Sequence, residues 1–359
     1  MTAILVGGAV SFLLALFLTP VVARTFVRKG LGQPIHELMP QEHQVKRGTP
    51  TMGGTVIIGA AVVGYLAAHL VTGQVPSASA VLLLLLTVGL GVVGFADDYL
   101  KITRERNLGI RGRAKVLGQI LVGVLFAMLA LRFPDSDGLT PASTFVSVLR
   151  DVPALQLGAV GFVVWALFMI SATSNGVNLA DGLDGLVTGT TTLVFAGYTL
   201  VCVWQFNQSC TRAPGPNCYD VRDPYDLAVV SLSLAAACVG FLWWNTNPAS
   251  IFLGDTGALA LGGAIAGLAI LTRTELLLVV IGGLYVVTNA SVIIQRGYFK
   301  ATRRLTGTPR RAFLMSPIQF HYQLKGWPET TIVVRFWIVC GALVSAGIGL
   351  FYAEWLTGA

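Results

Sequence analysis

The chain has 359 residues, 54% hydrophobic and only 11% charged, with a mean hydropathy of +0.73. A soluble domain covers its surface with about a quarter charged residues, so this composition excludes a water-soluble enzyme and turns most of the surface toward lipid. The formal charge of +7 reports loop orientation in such a chain rather than nucleic-acid binding, because no basic stripe lies outside the loops.

A bilayer crossing takes about 20 mostly apolar residues. Ten segments qualify: 3–24, 53–72, 79–96, 115–132, 157–174, 186–206, 226–244, 257–271, 276–295 and 333–352. The first lacks the basic start and small-residue cleavage site of a signal peptide, so it is expected to remain as a helix. The expected fold is an all-α integral membrane protein. It is a single polytopic domain over residues 1–359 with ten transmembrane helices.

The connections alternate sides. Those at 25–52, 97–114, 175–185, 245–256 and 296–332, with the adjoining helix ends, carry 19 of the 24 Lys and Arg residues. Arg132, Arg150, Arg212, Arg222 and Arg273 lie on the other side. That asymmetry makes the first five loops cytoplasmic and puts both termini outside. The outer carboxylates, among them Asp226 and Glu275, lie scattered and are expected to be solvated loop charge. Cys202, Cys238 and Cys340 sit in apolar runs as packing residues. Cys210 and Cys218 share one outer loop, where a disulfide is possible if that loop faces an oxidising space.

The chemistry-bearing residues gather on the inner loops. VKRGTPTMGG, residues 45 to 54, offers Lys46 and Thr51 beside a glycine-rich approach to the second span. GFADDYLK, residues 94 to 101, closes the third span with Asp97 and Asp98, followed by Lys101; the plain alternative is a polar helix end capped by that lysine. RGRAKVLGQ, residues 111 to 119, places Lys115 at a helix start. In SNGVNLADGLDGL, residues 174 to 186, Asn175, Asn178, Asp181 and Asp184 recur every three residues and would line one face of a helical turn. WWNTNPASIFLGDTG, residues 243 to 257, adds Asn245, Phe252 as an aromatic platform, and Asp255 at the next helix start, where free amides also suit a phosphate. The last loop carries basic residues and His321.

Carboxylate and amide oxygens without His or Cys favour Mg2+ or Mn2+ over zinc. Carboxylates at the ends of apolar helices are costly and mark functional sites. Phosphoryl transfer asks mainly for positioning and charge neutralisation, and a site at the membrane boundary implies one lipid and one soluble substrate.

These motifs resemble the polyprenyl-phosphate N-acetylhexosamine-1-phosphate transferase superfamily, and more closely its phospho-N-acetylmuramoyl-pentapeptide transferases, actinobacterial members especially. KRGTPTMGG, GFADDYLK, NxxNLxDGLDGL, NxxPAxIFxGDTG and KGWPETTIVVRFW together run almost end to end. The resemblance implies a dimeric enzyme of the bacterial plasma membrane whose active site opens to the cytoplasm. Its substrates would be UDP-MurNAc-pentapeptide and undecaprenyl phosphate, its products lipid I and UMP, and its cofactor Mg2+. By the same resemblance Asp97, Asp98 and Asp255 are catalytic, with Asp255 and Asp181 toward the metal. Lys46, Thr51, Lys101, Lys115, Asn175, Asn178, Asp181, Asp184, Asn245, Phe252, Gln319 and His321 bind substrate. The family reads P-x-HHH-[FY]-E-L-x-GW where this chain has SPIQFHYQLKGW, residues 316 to 327, so Gln319 and Phe320 replace two histidines and Gln323 a glutamate. An alternative is therefore a paralogue with a different UDP-sugar donor, or an inhibitor-resistant variant. A transporter or binding protein without turnover fits less well, because transporter sites lie near the midplane.

Overall fold

The computed structural model describes residues 1–30, 32, 48–104, 109–110, 112–215 and 217–357, with side chains to residue 354. Within them run α1 (Thr2–Arg28), α2 (Gly54–Thr72), α3 (Ala78–Thr103), α4 (Gly112–Ala130), strands β1 (Phe145–Ser147) and β2 (Asp151–Gln156), α5 (Gly158–Ala180) and α6 (Leu186–Asn207). Then follow α7 (Pro224–Asn245), α8 (Gly254–Leu271), α9 (Leu278–Ile281), α10 (Gly283–Thr306), α11 (Ile318–Leu324) and α12 (Glu329–Thr357). Lipid offers no partner to a backbone N–H or C=O, so apolar runs of this length close their hydrogen bonds internally as helices.

Nine helices among the described residues are long and apolar enough to cross a membrane. The segment expected as a ninth crossing, 276–295, is instead broken. α9 stops at Gly282, and α10 restarts at Gly283 and runs on to Thr306 through Arg296, Lys300, Arg303 and Arg304. Adjacent glycines lower the cost of bending at that point, and the basic second half dilutes the apolarity of the first.

α8 is the central post, with 94% of its span buried by the other helices. Two glycine contacts set its height. Gly54 of α2 lies against the backbone of Gly257, and Gly94 of α3 lies against the carbonyl of Asp255. A β-carbon at either place would strike main chain, so only glycine admits this approach.

The connections sort into two ends, as the charge count implies. At one end the loop at 50–54 pairs with 252–253 through Gly53 N to Phe252 O (2.9 Å), Gly54 N to Leu253 O (2.9 Å) and Phe252 N to Pro50 O (2.8 Å). The other end carries a sheet that the all-α expectation lacked and the disulfide that the shared loop of Cys210 and Cys218 allowed. β1 and β2 form a two-stranded antiparallel sheet, and Cys210 and Cys218 form a disulfide.

The carboxylates at this second end depart from the solvated charges expected there. Asp226 is buried and accepts from Tyr65 Oη (2.7 Å) and Ser77 N (2.9 Å), with His69 Nε2 at 2.8 Å. Glu275, only 2% exposed, accepts from Ser147 N (2.7 Å) and Ser147 Oγ (3.0 Å). Tyr65, His69 and Ser77 at Asp226, and Ser147 of β1 at Glu275, take the place of water, which makes burial of these groups tolerable.

Burial outweighs those donors at Glu275 and pushes its carboxyl up to about 7. A carboxyl that holds its proton more tightly when folded stabilises the fold below its unfolded value and loses that contribution as pH rises through 7. Glu275→Gln is therefore expected to melt at a higher temperature than the parent at pH 8 and near the parent at pH 5. Thermal unfolding of the purified protein at both pH values checks this; an equal gap at both would remove the titration as its cause.

Candidate active site

The site lies at the N-terminus of α8, where first-turn amides lack helical acceptors. Asp98, on the last turns of α3, fills that need. Its Oδ2 accepts from Thr256 N (2.9 Å) and Thr256 Oγ1 (2.8 Å), and its Oδ1 from Asp255 N (3.2 Å). It caps a helix remote in sequence, and a carboxylate there is also favoured by the helix dipole. Thr256, absent from the sequence-based set, completes this clamp; a hydroxyl one residue after a first-turn aspartate was the available signal.

With Asp98 so engaged, Asp97 and Asp255 face a pair of lysines. Asp255 Oδ2 lies 2.7 Å from Lys101 Nζ and 2.7 Å from Lys115 Nζ. Asp97 Oδ2 lies 2.8 Å from Lys101 and 3.4 Å from Lys115, while its Oδ1 accepts from Ile110 N at 2.7 Å. Asn178, its amide nitrogen turned to Asp255 Oδ1 (2.8 Å), brings its oxygen to Lys115 (3.3 Å). Asp97, Lys101, Ile110 and Lys115 thus share one polar cluster with Asn178 and Asp255.

Asp181 stands apart chemically. It follows the last residue of α5, is half-buried, and its carboxylate accepts no hydrogen bond from any described residue. Burial, then the charges of Asp255, Asp98 and Asp184, hold its carboxyl well above the ordinary range. The carboxyl groups of Asp97, Asp98, Asp181 and Asp255 outnumber the ammonium groups of Lys101 and Lys115. Among the described residues no three His, Cys, Asp or Glu side chains converge into a ready shell. Asp181 and Asp255 could hold a hard cation that completes its sphere with water and phosphate oxygens.

The remaining predicted residues divide between the open face and its supports. Asp184 Oδ2 accepts from Ala249 N (3.1 Å) and Asn247 Nδ2 (3.3 Å), strapping one loop to the next. Buried Asn245 accepts from Thr188 Oγ1 (2.7 Å) and donates to the Ile251 carbonyl (2.9 Å). Asn175 donates to the Ser171 carbonyl (2.8 Å) and to Gln119 Oε1 (3.3 Å). These three are framework contacts, and each includes a bond to a group 56 to 65 residues away that no local pattern identifies. Thr51 is buried, and its hydroxyl has no partner among the described residues and points at the Gly254 turn. Phe252 is half-buried beside it. Gln319 is fully buried and not on the open face. His321 accepts from Leu314 N at Nδ1 (3.1 Å), which leaves Nε2 to carry the proton of its neutral form. Partial burial and the Lys325 ammonium hold its pKa below the usual histidine value. Lys46 lies outside the described residues.

The clamp makes a direct prediction. Asp98→Asn keeps the side-chain shape but loses one acceptor oxygen, and is expected to cost about 1–2 kcal/mol, read as a lower melting temperature, with Asp98→Ala falling further. Unchanged melting in both variants would show that the carboxylate does not hold the helix.

Comparison with known proteins agrees with this geometry. The profile of glycosyl transferase family 4 matches residues 80–273, and residues 46–58 match phospho-N-acetylmuramoyl-pentapeptide-transferase signature 1. The phospho-N-acetylmuramoyl-pentapeptide-transferase of Kineococcus radiotolerans is 57% identical over 100% of both chains. Those of Pseudarthrobacter chlorophenolicus and Streptomyces avermitilis are each 54% identical over 99% of both chains. A likeness of that extent across the whole length, together with carboxylates and lysines meeting where the motifs converge, means that the chain belongs to the phospho-N-acetylmuramoyl-pentapeptide transferase family.

Proposed function

We propose that this chain transfers phospho-MurNAc-pentapeptide from UDP-MurNAc-pentapeptide to undecaprenyl phosphate, giving lipid I and UMP for peptidoglycan biosynthesis. The observation that carries this reading is the meeting of Asp97, Asp255, Lys101 and Lys115 at one end of an apolar bundle, beside Asp181, which has no partner among the described residues. That end is where a soluble nucleotide donor and a lipid phosphate can reach the same atoms. The excess of Lys and Arg in the loops of that end supports a cytoplasmic active site in the plasma membrane. A disulfide at the opposite end suits an oxidising exterior. Both termini then lie outside, with α9 and α10 together supplying a tenth crossing, and the family resemblance supports a homodimer.

In the reaction, an oxygen of the lipid phosphate attacks the β-phosphorus of the donor, and the bond from that phosphorus to the bridging oxygen breaks to release UMP. A phosphate monoester has a second pKa near ~6, so the nucleophile is already dianionic at neutral pH and needs no strong base. Lys101 and Lys115 offer positive charge to the phosphates as these displace their carboxylate partners. Asp97, with Ile110 N on one oxygen and lysines on the other, is better suited to orienting those lysines than to attacking phosphorus. The donor set of Asp181 and Asp255 suits Mg2+, which when bound supplies charge neutralisation to the leaving phosphate.

Purified protein with Mg2+, undecaprenyl phosphate and UDP-MurNAc-pentapeptide is expected to release UMP only when the acceptor is present. Asp255→Asn is expected to lower that rate by about 100-fold or more, the scale of removing a preorganised charge from a transition state. UMP release from donor alone would point to a covalent intermediate. Turnover with another UDP-sugar and not this one would overturn the donor assignment.

A further inference from the structure

Gln319 and Phe320 belong to α11, behind the loop that carries Asp181. The Gln319 amide donates to the Leu179 carbonyl (2.9 Å) and the Ala180 carbonyl (3.4 Å). These are last-turn carbonyls of α5, beyond its own hydrogen-bond ladder, and that of Ala180 also accepts from Gly182 N (2.9 Å). The Phe320 ring lies on Gly182, where an added β-carbon would stand 2.6 Å from Cζ. One side chain therefore grips the two residues before Asp181 and the other bears on the residue after it.

The chemistry of Gln319 argues that the grip matters. The side chain is fully buried, and its Oε1 has no partner among the described residues. Stranding an acceptor in this way is unfavourable. A leucine would fill similar space without that cost, so the amide is useful there only through the carbonyls it binds. Glu329 adds a third hold, accepting from Asp184 N at 2.8 Å.

We propose that Gln319 and Phe320 are positioning residues that fix the place of Asp181 in the transfer reaction proposed above, acting on the loop from behind rather than touching substrate. At the two positions where this chain departs from its family's histidines, the site is rebuilt around packing. Installing histidine at either one therefore lowers activity instead of restoring it.

The test is a double-mutant cycle across the Phe320–Gly182 contact, using full-length protein, the UMP-release assay and Mn2+ binding followed by electron paramagnetic resonance. Gly182→Ala is expected to lower kcat by about tenfold or more, since misplacement of a catalytic group by about 1 Å is costly, and to weaken Mn2+ binding with little change in donor KM. Phe320→Leu makes room for the added methyl, so Gly182→Ala/Phe320→Leu is expected to recover most of both losses. Gln319→Leu is expected to reproduce the loss while melting near the parent temperature. Additive losses in the double variant would overturn the proposal, as would a fall in KM-linked binding alone, or higher activity in Phe320→His. If the parent itself releases no UMP, the proposed function fails; the Mn2+ arm of the cycle still decides whether this contact positions Asp181.

Discussion

Capping of α8 by Asp98 is the contact on which the rest of the site depends. α8 is buried on nearly all sides, and its first amides sit in the polar cluster, where an unpaired donor is costly. Asp98 satisfies the amides of Asp255 and Thr256 from another helix, and the approach of Gly94 to the Asp255 carbonyl allows α3 to come close enough. Because Asp97 precedes Asp98 on α3 and Asp255 starts α8, the same clamp brings these two carboxylates to Lys101 and Lys115. Paired carboxylates in sequence therefore do different work: one caps α8, the other faces the two lysines.

The cluster carries an excess of negative charge, and that excess explains the division of labour among its members. Asp97 and Asp255 have their charge offset by ammonium groups within about salt-bridge distance. Asp181 has no such partner among the described residues, and burial together with three neighbouring carboxylates raises the cost of its ionised form. Such an arrangement favours arrival of a cation and of phosphates together, each lowering the cost of the other. A site of this kind is built for substrates that carry their own charge into it.

The far end of the bundle answers a different constraint. Arg222 donates to the Leu139 carbonyl and Arg273 to the Thr140 carbonyl, while Glu275 and Asp226 close buried networks. Connections that share donors and acceptors in this way tie the helix ends together away from the chemistry. The loops at the active end then need only position side chains.

Much of the architecture was legible in the amino-acid sequence, because a bilayer imposes a length and apolarity on each crossing and a charge bias on each loop. Nine of the ten segments expected from that rule are helices long and apolar enough to cross a membrane among the described residues. The paired aspartates, the Asp181 motif and the Asp255 turn stood out as carboxylates at the borders of apolar runs. The break at Gly282 did not, since hydropathy averages over a bend and α10 changes from apolar to basic along its length. Asp226 and Glu275 were misread as solvated because their partners, Tyr65, His69 and Ser77 for the first and Ser147 for the second, are distant in sequence. Sequence likewise marked Asp97 and Asp98 as alike, and Gln319 as one of the substrate-binding residues. Which aspartate caps a helix, which residue stays unpaired, and which side chain stands behind the site depend on distances between residues up to 158 positions apart. Only packing in three dimensions sets those distances.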